Sequence, residues 1–157
     1  MIDKHIDIHF EEFSSIDELN AEDRELAHAA IEGMSGSYAP YSHFNVGAAV
    51  RMSNGPIVRG ANQANAAFPS GLCAERTAMF AAGAKYPDKD MRSLALCGGL
   101  YGRLTDDPAT PCGACRQVMA QYQAKAGKPM SVIMVGAKRI WKFEKVDDIL
   151  PLIFDSI

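Results

Sequence analysis

No run of eighteen or more apolar residues occurs in these 157 residues, so no segment reads as a membrane-spanning helix. A basic block is also missing. Lys and Arg number 16 against 19 Asp and Glu, a net charge of −3, and electrostatics does not favour binding of a nucleic acid polymer. Cysteine is scarce, with four residues, and Met1-Ile2-Asp3-Lys4-His5 lacks the pattern of a secretory signal. The expected setting is therefore cytoplasmic, where such thiols are metal ligands or buried side chains rather than disulfides. Internal repeats, low-complexity stretches and interdomain linkers are absent as well. At 48% hydrophobic and 22% charged residues, the composition is that of one globular domain able to bury about two-thirds of its unfolded surface.

What the chain does have is two short clusters holding three of its cysteines. Cys73-Ala74-Glu75-Arg76 heads an alanine-rich run to Ala84 with strong helix propensity. Pro111-Cys112-Gly113-Ala114-Cys115-Arg116-Gln117 opens another helical run, with Pro suited to a first turn and the two sulfurs three residues apart on one side. Zinc accepts thiolates in tetrahedral geometry, and three protein ligands leave a fourth position for a water whose pKa the metal lowers to roughly 7. Three thiolates on a dication carry a net charge of about −1, which the roughly half-unit positive charge of a helix N-terminus partly offsets.

Neighbouring side chains fill out this arrangement. Arg76 and Arg116 stand beside the ligands and are candidates to donate to the sulfurs, Arg76 the better of the two. Glu75, two residues after Cys73, is a candidate proton shuttle. A purely structural zinc site is normally closed by four ligands, yet the fourth cysteine, Cys97, lies in apolar Leu94-Ala95-Leu96-Cys97 and reads as a buried strand thiol. Of the histidines that remain as a fourth ligand, His28 shares a helix with Glu25 and Glu32 and reads as a surface residue, leaving His43. His5, Asp7 and His9 share one face of an extended stretch, better read as solvated than as a metal site.

In chain order, Ile6, Ile8 and Phe10 alternate with polar residues, which predicts an edge strand within an extension at residues 1–19. Asn20 then reads as a helix cap, with Leu26, Ala30, Ile31 and Met34 at helical spacing. Ser53-Asn54-Gly55 between apolar runs 44–52 and 57–61 predicts a hairpin. Helices over 73–84 and 112–126, a strand over 93–97, and strands over 131–135 and 140–144 complete the list. This order predicts a layered α/β domain at residues 20–157, with helices covering a mixed sheet.

Cys-Ala-Glu followed by Pro-Cys-x-x-Cys resembles the zinc nucleoside deaminase signature. With Cys73 in the place where many such enzymes carry His, the chain is similar to the small homotetrameric cytidine deaminases. Tyr38-Ala39-Pro40-Tyr41-Ser42-His43-Phe44-Asn45-Val46-Gly47-Ala48-Ala49 resembles that family's N-terminal motif. Arg59-Gly60-Ala61-Asn62 with Asn65-Ala66-Ala67 resembles its substrate loop, and Leu150-Pro151 through Phe154 its C-terminal end. The resemblance spans roughly residues 22–154 and is specific.

It implies an α/β/α layered fold with a five-stranded mixed sheet. Cys73, Cys112 and Cys115 would be the ligands of Zn2+, and Glu75 the general acid and base. Phe44, Asn62 and the Ala74 backbone N–H would contact substrate, and Phe154 would reach a neighbouring subunit's site in a homotetramer. The implied activity is deamination of cytidine and deoxycytidine to uridine and deoxyuridine in pyrimidine salvage. One position departs from the pattern: the family loop reads Asn-x-Glu-Asn-Ala, and Ala64 replaces the Glu that with Asn holds a ribose hydroxyl. That departure keeps a second reading open, deamination of another aminopyrimidine nucleoside such as a nucleoside antibiotic. A non-catalytic zinc-stabilised binding protein is a third, which Glu75 argues against.

Overall fold

Asn20 closes the start of the first helix, its Oδ1 accepting the Asp23 N–H at 2.9 Å, with Glu22 and Asp23 placed where the helix dipole favours acid. In the computed structural model, which describes residues 1–155, helix α1 accordingly spans Ala21–Gly33 and buries Leu26, Ala27 and Ala30. The remaining elements are strands β1 (Glu11–Phe13), β2 (Phe44–Met52) and β3 (Ile57–Ala61), helix α2 (Ala74–Lys85), and strand β4 (Met91–Leu100). Helix α3 (Gly113–Ala126) and strands β5 (Ser131–Val135) and β6 (Ile140–Phe143) follow. Gly55 takes φ 108 in the β2–β3 turn and Gly127 φ 62 after α3, left-handed conformations that glycine adopts at low cost.

The strands form one sheet in the order β1-β6-β5-β4-β2-β3, and among the described strands only β4 and β5 pair in parallel, joined through α3. Side chains alternate across the central strand β4. Leu94 and Leu96 enter a core with Ala78 and Met79 of α2 and Met119 of α3, whereas Ala95 and Cys97 enter a second core with Leu26 and Ala30 of α1. The result is a three-layer α/β/α arrangement. Cys97 is fully buried, its thiol pushed up to about 12 by loss of solvent, as expected of a packing residue.

Two expectations are corrected. The sheet has six strands rather than five, because β1 pairs antiparallel with β6, Glu11 opposite Lys142 and Phe13 opposite Ile140. The edge strand is also displaced: the alternating residues 6–10 form no strand, and pairing starts at Glu11. The cause is the length of the partner, since β6 ends at Phe143 and leaves residues 6–9 nothing to pair with. Phe10 instead stacks on the Phe143 ring at 5.0 Å and meets Trp141 edge-on at 5.7 Å, while Trp141 Nε1 donates to Glu12 Oε2 at 2.7 Å.

Close backbone approach sets α2 against the hairpin. A Cβ on Gly60 would lie 2.4 Å from the Ala78 nitrogen and 2.6 Å from the Ala74 oxygen, so only glycine lets β3 touch this helix.

Candidate active site

Cys73 and Cys112 are the capping residues of α2 and α3, and neither side chain closes its own helix, which leaves both sulfurs free to point at each other. Their carbonyls accept the first intrahelical bonds, from Thr77 N–H and Arg116 N–H, each at 3.0 Å. Cys115 lies one turn into α3 and is buried. The Cys73 and Cys112 sulfurs are 3.8 Å apart, Cys112 and Cys115 3.5 Å, and all three lie within 4.8 Å of one another. A tetrahedral zinc site with metal–sulfur bonds of about 2.3 Å has sulfur–sulfur edges of about 3.8 Å, so this donor set fits zinc. Among the described residues no other group of His, Cys, Asp and Glu comes together as a metal site.

Charge in the cluster is arranged around these sulfurs. The Cys73 thiol is lowered to about 5, first by its hydrogen bond with Cys115, then by Arg76 and Cys112, against the opposing effect of burial. The Cys115 thiol is held far above its ordinary value by the same shared hydrogen bond, by burial and by the nearby Glu75 charge. Arg76 Nη2 donates to Cys73 Sγ at 3.6 Å, where the sequence predicts it. Arg116 does not reach the sulfurs, contrary to expectation: its Nε donates to Pro111 O and its Nη1 to Ile149 O, both at 2.9 Å.

Glu75 sits on the first turn of α2 and is only 4% exposed. Burial raises its carboxyl above the ordinary value and the Cys73 charge adds to that, with its own backbone N–H, Cys115 and Arg76 opposing. It lines a cavity of about 180 Å³ together with Cys73, Ala74, Cys112, Phe44 and Asn62. A larger hollow of about 720 Å³ shares the Phe44 wall, but its other walls, Leu100, Tyr101, Arg103, Leu104 and Thr105, include no thiol or carboxylate. The smaller cavity is therefore where metal and proton chemistry can meet.

The expected substrate contacts divide into two groups. Phe44, Ala74 and Asn62 all line the cavity. The Asn62 amide, however, is taken up by the protein: Oδ1 accepts the Val46 N–H at 2.9 Å and the Ser37 hydroxyl, and Nδ2 donates to Phe44 O at 2.9 Å. Gln63 points elsewhere, donating to Gly36 O at 2.9 Å. Phe154 does not line this cavity; it is 69% exposed and its carbonyl accepts from Gln117. Val46, Leu96 and Thr110 are cavity walls that sequence reasoning missed, as were Ser37, whose hydroxyl donates to Asn62 Oδ1, and Asn45, whose Nδ2 donates to the Ser37 hydroxyl. Apolar or small polar residues carry no such signal in one sequence.

Comparison with known proteins bears on this geometry. Residues 20–128 match the family model described as the cytidine and deoxycytidylate deaminase zinc-binding region. The chain is 45% identical over 98 residues to the cytidine deaminase of Halalkalibacterium halodurans, a match covering 61% of this chain and 68% of that protein. It is 42% identical over 86 residues to the cytidine deaminase of Sporosarcina psychrophila, covering 55% and 59%. Among solved structures, the cytidine deaminase of Burkholderia pseudomallei superposes with a TM-score of 0.69 at 35% identity, covering 83% of this chain and 97% of that one. The chain belongs to the cytidine and deoxycytidylate deaminase zinc-binding family.

Proposed function

We propose that this protein is a zinc-dependent deaminase converting cytidine and deoxycytidine, with water, to uridine and deoxyuridine with release of ammonia. The observation that carries it is the meeting, in one 180 Å³ cavity, of the buried Glu75 carboxyl with Cys73 and Cys112, two of three thiols spaced as the edges of a zinc tetrahedron. The names of the relatives, cytidine deaminases, point the same way. Cys73, Cys112 and Cys115 would hold the zinc, which when bound would supply Lewis acidity and lower the pKa of a water towards neutrality.

The chain's own residues do the rest. Glu75, desolvated and so inclined to hold a proton, would take one from the attacking water and pass it to N3 of the ring as the hydroxyl adds to C4, then carry that hydroxyl's remaining proton to the amino group, so that the C–N bond breaks, ammonia leaves and the C4 carbonyl forms. Arg76 stabilises negative charge on Cys73. The Ala74 N–H, in the first turn of α2 where amides lack intrahelical partners, is available to the pyrimidine O2. Phe44 provides the aromatic wall for the base. Asn62, held by Ser37 and Val46, shapes the sugar end of the cavity.

A homotetramer with shared sites fits the exposed apolar side chains Phe68, Tyr101, Leu152 and Phe154, at 76%, 74%, 82% and 69%, which a partner would cover. No helix among the described residues is long and apolar enough to cross a membrane, and all four cysteines are unpaired, which suits a cytoplasmic enzyme of pyrimidine salvage. In this reading residues 20–157 are the catalytic domain and residues 1–19 an extension to it. Glu75→Gln tests the assignment: it is expected to keep zinc and fold while kcat falls by at least about 10²-fold. A Glu75→Gln protein with zinc bound and undiminished turnover would overturn the proposed role.

A further inference from the structure

Arg116 follows a proposed metal ligand directly, yet its guanidinium serves two carbonyls far apart in sequence. Nε donates to Pro111 O, on the residue that delivers Cys112, and Nη1 donates to Ile149 O, where the C-terminal segment begins, both at 2.9 Å. One residue on, Gln117 Nε2 donates to Phe154 O at 2.6 Å. Two turns further along α3, Gln123 Oε1 accepts the Val146 N–H at 2.9 Å and Nε2 donates to Asp147 Oδ2 at 2.8 Å. Residues 150–154 contain no helix or strand, so these α3 side chains, together with Ile153 and Leu150 packing on the core, set where the segment lies.

The same turn of α3 carries Cys112 and Cys115. We propose that Arg116 is a positioning residue that fixes the metal loop and the C-terminal segment to each other, so that the backbone at Cys112 and the placement of Phe154 are set together. The part concerning Phe154 rests on the shared-site reading above; the part concerning the metal loop stands on this chain alone. Arginine is suited to the task because its planar fork holds two donors at a fixed angle, whereas lysine offers a single flexible point donor. Loss of the bridge leaves the buried Pro111 carbonyl without its partner and frees the loop that presents Cys112.

Three variants test this on the full chain: Arg116→Ala, Arg116→Lys and Gln117→Leu. Each is measured for zinc affinity by competition with a chromophoric chelator, for exchange of the Leu150 amide, which donates to Val146 O at 3.0 Å where the segment begins, for global stability in urea, and for cytidine kcat and KM. Arg116→Ala is expected to lower zinc affinity about 10- to 100-fold, as loss of groups supporting metal ligands does, and to raise exchange of the Leu150 amide at least about tenfold. Arg116→Lys, which reaches one carbonyl at a time, is expected to stay folded with zinc affinity between those of Arg116→Ala and the unaltered protein. Gln117→Leu releases only the Phe154 end: cytidine KM rises while zinc affinity and Leu150 exchange stay unchanged.

Unchanged zinc affinity and exchange in both Arg116 variants would overturn the inference, as would a loss of zinc affinity in Gln117→Leu equal to theirs. If Arg116→Ala does not fold, the contrast between Arg116→Lys and Gln117→Leu decides the matter. Zinc and exchange readouts need no substrate. A protein inert towards cytidine that still shows both effects keeps this inference and loses the proposed activity, whereas an active enzyme without them does the reverse.

Discussion

Gly60→Ala should damage a site that Gly60 does not touch. The added methyl would sit 2.4 Å from the Ala78 nitrogen and 2.6 Å from the Ala74 oxygen. Ordinary van der Waals contact begins near 3.5 Å, so α2 must withdraw from β3 by about 1 Å. Both clashing atoms are backbone, and no side-chain rotation relieves them. Overpacking of this kind costs about 1–3 kcal/mol. The larger consequence is positional, because Ala74 stands between Cys73 and Glu75 and a retreat of α2 shifts both relative to Cys112 and Cys115 on α3. A misplacement of about 1 Å at reacting groups costs about 10²-fold in rate. Urea unfolding, zinc content and kcat/KM for cytidine measure the three effects, with Gly36→Ala as control, since a Cβ there meets only the Ala61 Cβ at an ordinary 3.5 Å. A Gly60→Ala protein with the stability, zinc content and rate of the Gly36→Ala control would refute the argument.

Ala64→Glu returns to the loop after Asn62 the acid that the resembling family pattern carries there, and tests whether position 64 faces the sugar. A hydrogen bond to a charged group is worth about 1.5–3 kcal/mol, so cytidine KM should fall by about one to two decades. No improvement in steady-state kinetics would show that the loop does not present position 64 to ribose. Phe10→Ala removes the ring packed on Phe143 and Trp141; because Phe10 is 45% exposed, the expected cost is about 1–2 kcal/mol by urea unfolding. Zinc content and kcat should be unaffected, since Phe10 lines no part of the cavity, and a loss of either would show that the extension acts on the site.

Local signals made much of this molecule legible in its sequence. The Asn20 cap, the Ser53-Asn54-Gly55 turn and the helix starts at Cys73 and Cys112 depend on residues a few positions apart, and each stands where the sequence places it. The clustering of the three sulfurs was likewise readable, from Cys73-Ala74-Glu75 and Pro111-Cys112-Gly113-Ala114-Cys115 at two helix starts, and the three lie within 4.8 Å of one another. Pairing was harder to read. Whether residues 6–10 or 11–13 form the edge strand depends on where β6 ends, a fact held more than a hundred residues away. Arg116 shows a related limit: proximity to Cys115 in sequence suggested contact with the sulfurs, but helical rotation turns its side chain towards Pro111 and Ile149. The occupation of the Asn62 amide by Ser37, Val46 and Phe44 is a tertiary outcome of the same kind.

The most direct test of the central claim is the loss of cytidine absorbance, with ammonia release, catalysed by the purified protein loaded with zinc, stripped by chelator, and reloaded. Turnover of cytidine and deoxycytidine that disappears on stripping and returns with one zinc per chain is the predicted result. Turnover that persists without zinc, or zinc bound at one per chain with neither nucleoside deaminated, would contradict the account.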